Sequence, residues 1–290
     1  MGTELMQTPA GPSHRVLVDC PDRPGLIHAI TGVLLTRRLN IEGTQEYVDS
    51  EARHFFFRAE VSGDGPLDTH GLELELVERL PSTARVRVAP SPRQTIVGLG
   101  TREPHCLGEL LLLESCGELP GRIEAVVGNH DTLRGLAERF GKNFHHVPHE
   151  GLSRDAHEAR LAEVRTAHQS SQLVLARWMR VLSPGFLSRF SRPLVNIHHS
   201  FLPAFAGAQP YRQAFERGVK VIGATAHFVT AELDEGPIIS QGVIPVDHTY
   251  TAQRMAQAGR DVEKLVLARA VTLVLEDRVM LHGSRTVVFV

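Results

Sequence analysis

The sequence predicts an α/β protein in two parts: a small mixed domain over residues 13–90 and a larger, mainly parallel one over 93–290. Three observations carry that expectation. Short apolar runs with strand periodicity alternate with amphipathic stretches of helical spacing along nearly the whole chain. The early elements follow the order βαββαβ, whereas the later ones repeat β then α. Between the two sets stands Pro90-Ser91-Pro92, a linker composition.

In the first part, residues 14–20 read as a strand that ends at Pro21-Asp22-Arg23-Pro24-Gly25. Gly25 opens a helix whose Leu26, Ile27, Ile30, Val33 and Leu34 share one face. Arg37 and Arg38 are expected in its last turn, where cations suit the helix dipole. Strands over 41–48 and 53–61 follow, joined by the polar turn Asp49-Ser50-Glu51, then a helix over 67–80 and a strand over 84–88. This order gives four antiparallel strands with two helices on one face, the ferredoxin-like arrangement.

In the second part, strands are expected over 94–100, 123–128, 144–147, 172–176, 194–198, 221–230 and 237–246. Helices are expected over 105–116, 132–140 and 154–168. Thr251 caps a long helix whose Met255, Val262, Leu265, Val266, Leu273 and Val274 form its apolar face. Residues 286–290 are β-rich and are expected in a small sheet. Alternation of this kind argues an open, mainly parallel sheet with helices on both faces, and ligands collect beyond the carboxyl ends of such strands. Thr101-Arg102, Asn129-His130, Arg177-Trp178-Met179-Arg180 and Asn196-Ile197-His198 all lie at the ends of expected strands, which points to one site.

Composition narrows the function. Lys plus Arg (31) nearly balance Asp plus Glu (33), so no basic excess suggests nucleic acid or anionic lipid. No eighteen apolar residues run together, so no membrane span is expected. The first fifteen residues lack the apolar core of a signal peptide, and residues 1–12 are expected to be disordered. Three scattered cysteines, Cys20, Cys106 and Cys116, do not make a disulfide framework, which suits a cytoplasmic protein.

The stretch from 196 to 241 concentrates the chemistry. Asn196 and His198 alternate at the end of a strand and so share a face, and Asp234 follows thirty-six residues after His198 in a Leu-Asp-Glu-Gly-Pro turn. A carboxamide, an imidazole and a carboxylate converging on one carbonyl can hold an oxyanion, move a proton and orient a water. Other motifs are weaker. Gly98-Leu99-Gly100 lacks the third glycine of a dinucleotide fingerprint, since residue 103 is Glu. His145, His146 and His149 cluster with Glu150, and His198 adjoins His199. No cysteine partner or metalloprotease spacing accompanies them, and adjacent residues of a strand face opposite ways, so they read as structural or solvated, with no metal.

Two resemblances add to this reading. With Asp22-Arg23-Pro24-Gly25 before the first helix and Asn40-Ile41 opening the second strand, the first part resembles the ACT domain family. That resemblance implies side-by-side pairing of sheets in a homo-oligomer and an amino-acid effector, glycine or methionine, near Asp22, Arg23, Pro24, Gly25 and Asn40. A dimerisation module without ligand is the competing reading. At NIHHSFLPAF, GATAHFVTAELDEGPIISQ and VDHTYTAQRMAQAGRDVEKLVLARA the second part resembles the formyltetrahydrofolate deformylases, within the formyltransferase-like group.

The deformylase resemblance implies hydrolysis of 10-formyltetrahydrofolate to formate and tetrahydrofolate, with no separate cofactor. It implies Asn196, His198 and Asp234 as the catalytic trio, and Met179, Arg180, Val181 and Leu182 with Thr230 around the pterin. His227 and Ser200 match positions near the site. Ribonucleotide transferases of the group need a phosphate cradle after the first strand, where Glu103 and Pro104 stand here. The chain departs from the deformylase pattern at Thr101, Arg102, Pro104, Ala206 and Gln209. Transfer to an amine and a non-catalytic amino-acid sensor remain the alternatives.

Overall fold

A computed structural model describes residues 13–90, 94–204 and 209–290. The chain divides into two compact units, one reaching residue 92 and including Phe289 and Val290, the other spanning 93–288. Residues 1–12, most of the expected linker and Ala206 lie outside the described residues.

The first unit runs β1 (His14–Pro21), α1 (Leu26–Thr36), β2 (Asn40–Asp49), β3 (His54–Ser62), α2 (Thr69–Arg79) and β4 (Arg85–Pro90). Its four strands lie in the order β2-β3-β1-β4, every pair antiparallel. Val16, Val18 and Cys20 alternate inward from β1, and Phe55, Phe57, Ala59 and Val61 from β3. Ile30, Val33 and Leu34 of α1 and Leu72 and Leu76 of α2 complete this core, each buried aliphatic side chain contributing about 1.5–3 kcal/mol. Asp68 caps α2 by accepting from the Gly71 amide at 2.9 Å. One expectation is corrected. α1 stops at Thr36, because Arg38 takes a left-handed φ of 56°, so Arg37 caps the helix and Arg38 lies outside it.

The second unit begins β5 (Gln94–Gly100), α3 (His105–Ser115), β6 (Gly121–Gly128), a single 3₁₀ turn (Asp131–Leu133), α4 (Arg134–Arg139) and β7 (Asn143–His146). It continues α5 (Arg154–Ala167), β8 (Gln172–Leu175), α6 (Pro184–Leu187), β9 (Val195–His198), α7 (Pro210–Arg217), β10 (Val221–Phe228) and β11 (Ile238–Pro245). Helix α8 (Ala252–Leu275), capped by the Thr251 hydroxyl, leads to a hairpin of β12 (Val279–His282) and β13 (Arg285–Val288). The sheet order is β11-β10-β9-β8-β5-β6-β7, with β10 antiparallel to both its neighbours and the rest parallel.

Alternation along the central strands feeds two cores. Ile96, Ile123, Val126 and Val174 pack with Leu107, Leu110 and Leu111 of α3 and Leu267, Val271 and Leu275 of α8. On the opposite face Val97, Leu99, Val127 and Leu175 pack with Leu161, Trp178 and Phe186. The expected layering therefore stands, but α6 and α7 were not expected. Each is short and starts at a proline in the first turn, where a missing N–H costs nothing. Among the described residues no helix is long and apolar enough to cross a membrane.

Candidate active site

Strand β9 presents Asn196 and His198 to the same side, with Ile197 between them in the core behind the sheet. Beside them on antiparallel β10 stands His227, registered opposite Asn196 and 2% exposed. The chain then turns at Asp234, which takes a left-handed φ of 59°. Gly236 makes that turn possible, since a Cβ there would sit 1.7 Å from the Phe228 carbonyl oxygen. The result is a carboxylate flanked by two imidazoles. Asp234 Oδ2 lies 3.2 Å from His198 Nδ1, and Oδ1 lies 3.7 Å from His227 Nε2.

Asn196 joins through its amide nitrogen, 3.1 Å from His227 Nε2. His227 Nδ1 donates to the Phe228 carbonyl at 2.9 Å, which leaves Nε2 to accept from Asn196. His198 Nδ1 donates to Asp234, and its buried Nε2 has no protein partner among the described residues. That nitrogen is the one left for chemistry. Burial works to raise the Asp234 carboxyl pKa, but the hydrogen bond from His198 outweighs it and holds the group well below the usual carboxylate range. Asp234 is therefore ionised at neutral pH.

These residues line a cleft of about 760 Å³. Met179, Arg180, Val181 and Leu182 form one wall, and the segment from Val229 to Asp234, with Thr230 in it, forms the other. Met179, Val181 and Leu233 are exposed there, an apolar rim suited to a flat ring. The Met179 wall is held at both ends. Thr101 Oγ1 accepts from the Met179 amide at 3.0 Å, and buried Glu158 accepts from the Ser183 amide at 2.7 Å and from the Ser183 hydroxyl. Thr230 Oγ1 donates to the Glu232 carbonyl at 3.0 Å and so braces its own turn.

A second polar group in the same cleft was not found from the sequence. Glu263 of α8, fully buried, accepts from Tyr211 Oη at 2.6 Å and from His105 Nε2 at 2.8 Å. Arg177 Nε lies 3.4 Å from the same carboxylate, and its Nη2 donates to Glu103 at 3.1 Å. Burial opposes ionisation of Glu263, but the bond from His105 and the charge of Arg177 outweigh it, so its pKa is lowered. Burial and then the Arg177 charge push the neighbouring His199 down to about 4.

Several expectations about grouping need correcting. Asn129 and His130 do not line the cleft. They follow β6, which lies beyond β5 from β8 and β9. Thr101 supports the wall without lining it. Nor is the site confined to carboxyl ends of parallel strands, because the Val229–Asp234 segment leaves antiparallel β10 beside Val195. Ser200 donates to the Ala204 carbonyl at 2.8 Å and packs away from the cleft.

In the first unit, Asp22, Arg23, Pro24 and Gly25 follow β1, whose Pro21 registers with His54, whereas Asn40 registers with Ser62. Those are the two ends of nine-residue β3, roughly 25 Å apart at the usual strand rise, so one chain does not bring them into one pocket. Arg23 Nη2 donates to the Arg79 carbonyl at 3.1 Å, and Asn40 Nδ2 donates to Glu42 at 2.8 Å.

Comparison with known proteins matches this architecture. The formyl transferase family pattern matches residues 94–271, and the ACT domain pattern residues 14–70. A formyltetrahydrofolate deformylase of Escherichia coli is 52% identical over 93% of this chain and 95% of its own. The crystal structure of a formyltetrahydrofolate deformylase from Pseudomonas syringae superposes with a TM-score of 0.91 at 37% identity, covering 99% of this chain and 96% of that one. A glycinamide ribonucleotide transformylase from Symbiobacterium toebii matches 68% of this chain and 95% of its own, with a TM-score of 0.66 at 34% identity. Similarity across both units, rather than across the second alone, separates these neighbours, and the chain belongs to the formyltetrahydrofolate deformylase family.

Proposed function

We propose that this cleft hydrolyses 10-formyltetrahydrofolate to tetrahydrofolate and formate, the reaction the family's name denotes. The observation that carries the reading is the Asp234 carboxylate accepting from His198 Nδ1 beside Asn196 and His227. In this mechanism the pterin lies between the Met179–Leu182 wall and the Thr230–Asp234 turn, with the formyl carbon at Asn196. Ionised Asp234 holds a water and takes up its proton as the oxygen attacks the formyl carbon. Charge grows on the carbonyl oxygen, and the second N–H of Asn196 Nδ2 donates to it while protonated His198 supports it through Nε2. His198 then passes that proton to the leaving nitrogen, and the C–N bond breaks to release formate.

Removing one such oxyanion donor costs about 10²–10³ in rate. The arrangement fixes donors before charge develops, which is why it favours the transition state over the substrate. Transfer to a phosphorylated amine fits poorly. Pro104 stands at the N-cap of α3 without an N–H to offer, and Glu103 beside it carries negative charge into the cleft wall.

The supporting functions follow from the same reading. The first unit pairs between chains in a homo-oligomer, and an amino-acid effector such as glycine or methionine uses the 22–25 loop of one copy and Asn40 of another. All three cysteines are free, which suits the cytoplasm. The direct test incubates the full chain with 10-formyltetrahydrofolate and no acceptor. Equal amounts of formate and tetrahydrofolate support hydrolysis. Bound folate without formate refutes it and points to an amine acceptor.

A further inference from the structure

We propose that His130, His149 and Glu150 form a binding site for a divalent transition-metal ion of the zinc class, outside the folate cleft. Each offers one donor atom, and the three atoms lie within 4.8 Å of one another. The backbone is shaped to bring them together. A Cβ at Gly128 would meet the His130 carbonyl at 2.6 Å and the Phe144 ring at 2.7 Å, so only glycine lets the chain fold back there. The Val147 amide donates to the Gly128 carbonyl at 2.9 Å, which ties the β7–α5 loop to that turn. Gly151, at a φ of 73°, and the Leu152 amide bond to the His149 carbonyl close a tight turn that presents His149 and Glu150.

The ring geometry suits shared coordination. The His130 and His149 imidazoles stand edge to face at 89°, with centroids 5.8 Å apart. Two imidazoles on one tetrahedral zinc, with Zn–N near 2.0–2.1 Å, would place their centroids roughly 5 Å apart. His149 Nδ1 and Glu150 Oε2 are 3.7 Å apart, close to the roughly 3.4 Å that two ligands of such an ion keep. A separate observation comes from Asn129, 2% exposed, whose Oδ1 has no hydrogen-bond partner among the described residues. Its Nδ2 lies 3.4 Å from His149 Nδ1, a contact that satisfies neither group well. A half-turn of the amide brings the oxygen to the same place, as a fourth donor or as an acceptor for metal-bound water.

Competing clusters fail the same test. His105, Cys106 and Glu263 also gather, but Glu263 is already engaged by His105, Tyr211 and Arg177, and burial pushes the Cys106 thiol well above its ordinary value. His145 faces His168 at 2.8 Å and brings only two nitrogens. The proposed site reaches the cleft through neighbouring rings. His149 lies 6.2 Å from His157, and His157 lies flat against Trp178 at 5.9 Å and 4°. His157 Nε2 donates to the Val147 carbonyl at 3.1 Å. An ion held here therefore braces the loop beneath the wall that carries Trp178 and Met179.

Trp178 is the single tryptophan of the chain and reports on that wall. The untagged full chain, freed of metal by chelator, is titrated with Zn²⁺ and separately with Co²⁺. The expected result is one ion per chain, a Trp178 emission change that saturates at that ratio, and the visible bands of tetrahedral cobalt. Glu150→Gln, at an exposed position that leaves the fold intact, and His149→Ala should each weaken binding by about 10–100-fold or more. His145→Ala should leave it unchanged. Wild-type binding no tighter than that of Glu150→Gln, or binding lost in His145→Ala, overturns the proposal.

Discussion

The sharpest test of the site is Asp234→Asn. The position has a φ of 59°, a region that Asn tolerates better than other side chains, so the substitution changes chemistry while keeping the turn. The carboxylate makes two contacts, at 3.2 Å to His198 and 3.7 Å to His227, and an amide can offer an oxygen to only one of them. Two losses follow. Removing a general base costs about 10²–10⁴ in rate. Exchanging the charged acceptor of the His198 hydrogen bond for a neutral one costs about 1 kcal/mol more in orientation. kcat should fall by roughly 10³-fold or more, while KM for 10-formyltetrahydrofolate stays within about threefold because neither cleft wall changes.

Formate release followed continuously in saturating substrate gives kcat, and equilibrium folate binding guards against a trivial loss of the pocket. A stability measurement adds an independent check. The folded Asp234 pKa lies below the ordinary value of about 3.9, so the ionised group stabilises the fold above that pH, and the contribution is lost as pH falls through the folded value. The variant should therefore unfold at a lower temperature than wild type at pH 7, with the gap narrowing below about pH 4. Retention of more than about a tenth of wild-type kcat would refute the assignment of Asp234 as the base.

Three further outcomes follow from the surroundings of the site. Glu158→Gln leaves one oxygen to serve both the Ser183 amide and hydroxyl, so the Met179–Leu182 wall loosens; KM should rise about 5- to 30-fold, for about 1–2 kcal/mol, with kcat little changed in steady-state assays. Gly236→Ala drives a Cβ to 1.7 Å from the Phe228 carbonyl, and denaturant unfolding should show a loss of at least about 2 kcal/mol together with lower activity. His199, held down to about 4 by burial and Arg177, gives stability that is complete above its unfolded pKa of about 6.5 and is lost as pH falls through 4. His199→Asn should remove roughly 3 kcal/mol of pH dependence across that window, read from unfolding curves at successive pH values.

What the sequence disclosed about this site depended on covalent nearness. Asn196 and His198 are two residues apart on a strand, so their shared face follows from the period of the pleat alone. The Leu-Asp-Glu-Gly-Pro turn placed Asp234 close after β10, and the antiparallel neighbour of β9 delivers it beside Asn196 and His198. The strand and helix order was legible for the same reason, since each element's burial pattern is written along its own residues. α6 was not legible because four residues carry too little periodicity to register, and α7 because it begins at a left-handed Gln209.

The Glu263 network and the His130 cluster were illegible for a different reason. Glu263 meets His105 and Tyr211 across separations of 158 and 52 residues, and no local pattern marks any one of them. Only the sheet order decides such meetings. β5 stands next to β8 on one side and β6 on the other, so residues that follow β5 and β8 share a cleft while those that follow β6 face the β7 side. That single fact moves Glu103 towards Arg177, and Asn129 and His130 away from His198 and towards His149. Reading four strand ends as one site treated the sheet as if every end were equidistant. The strand order divides them between the Asn196 cleft and a second polar cluster, and the ring contacts from His149 through His157 to Trp178 are what still connects the two.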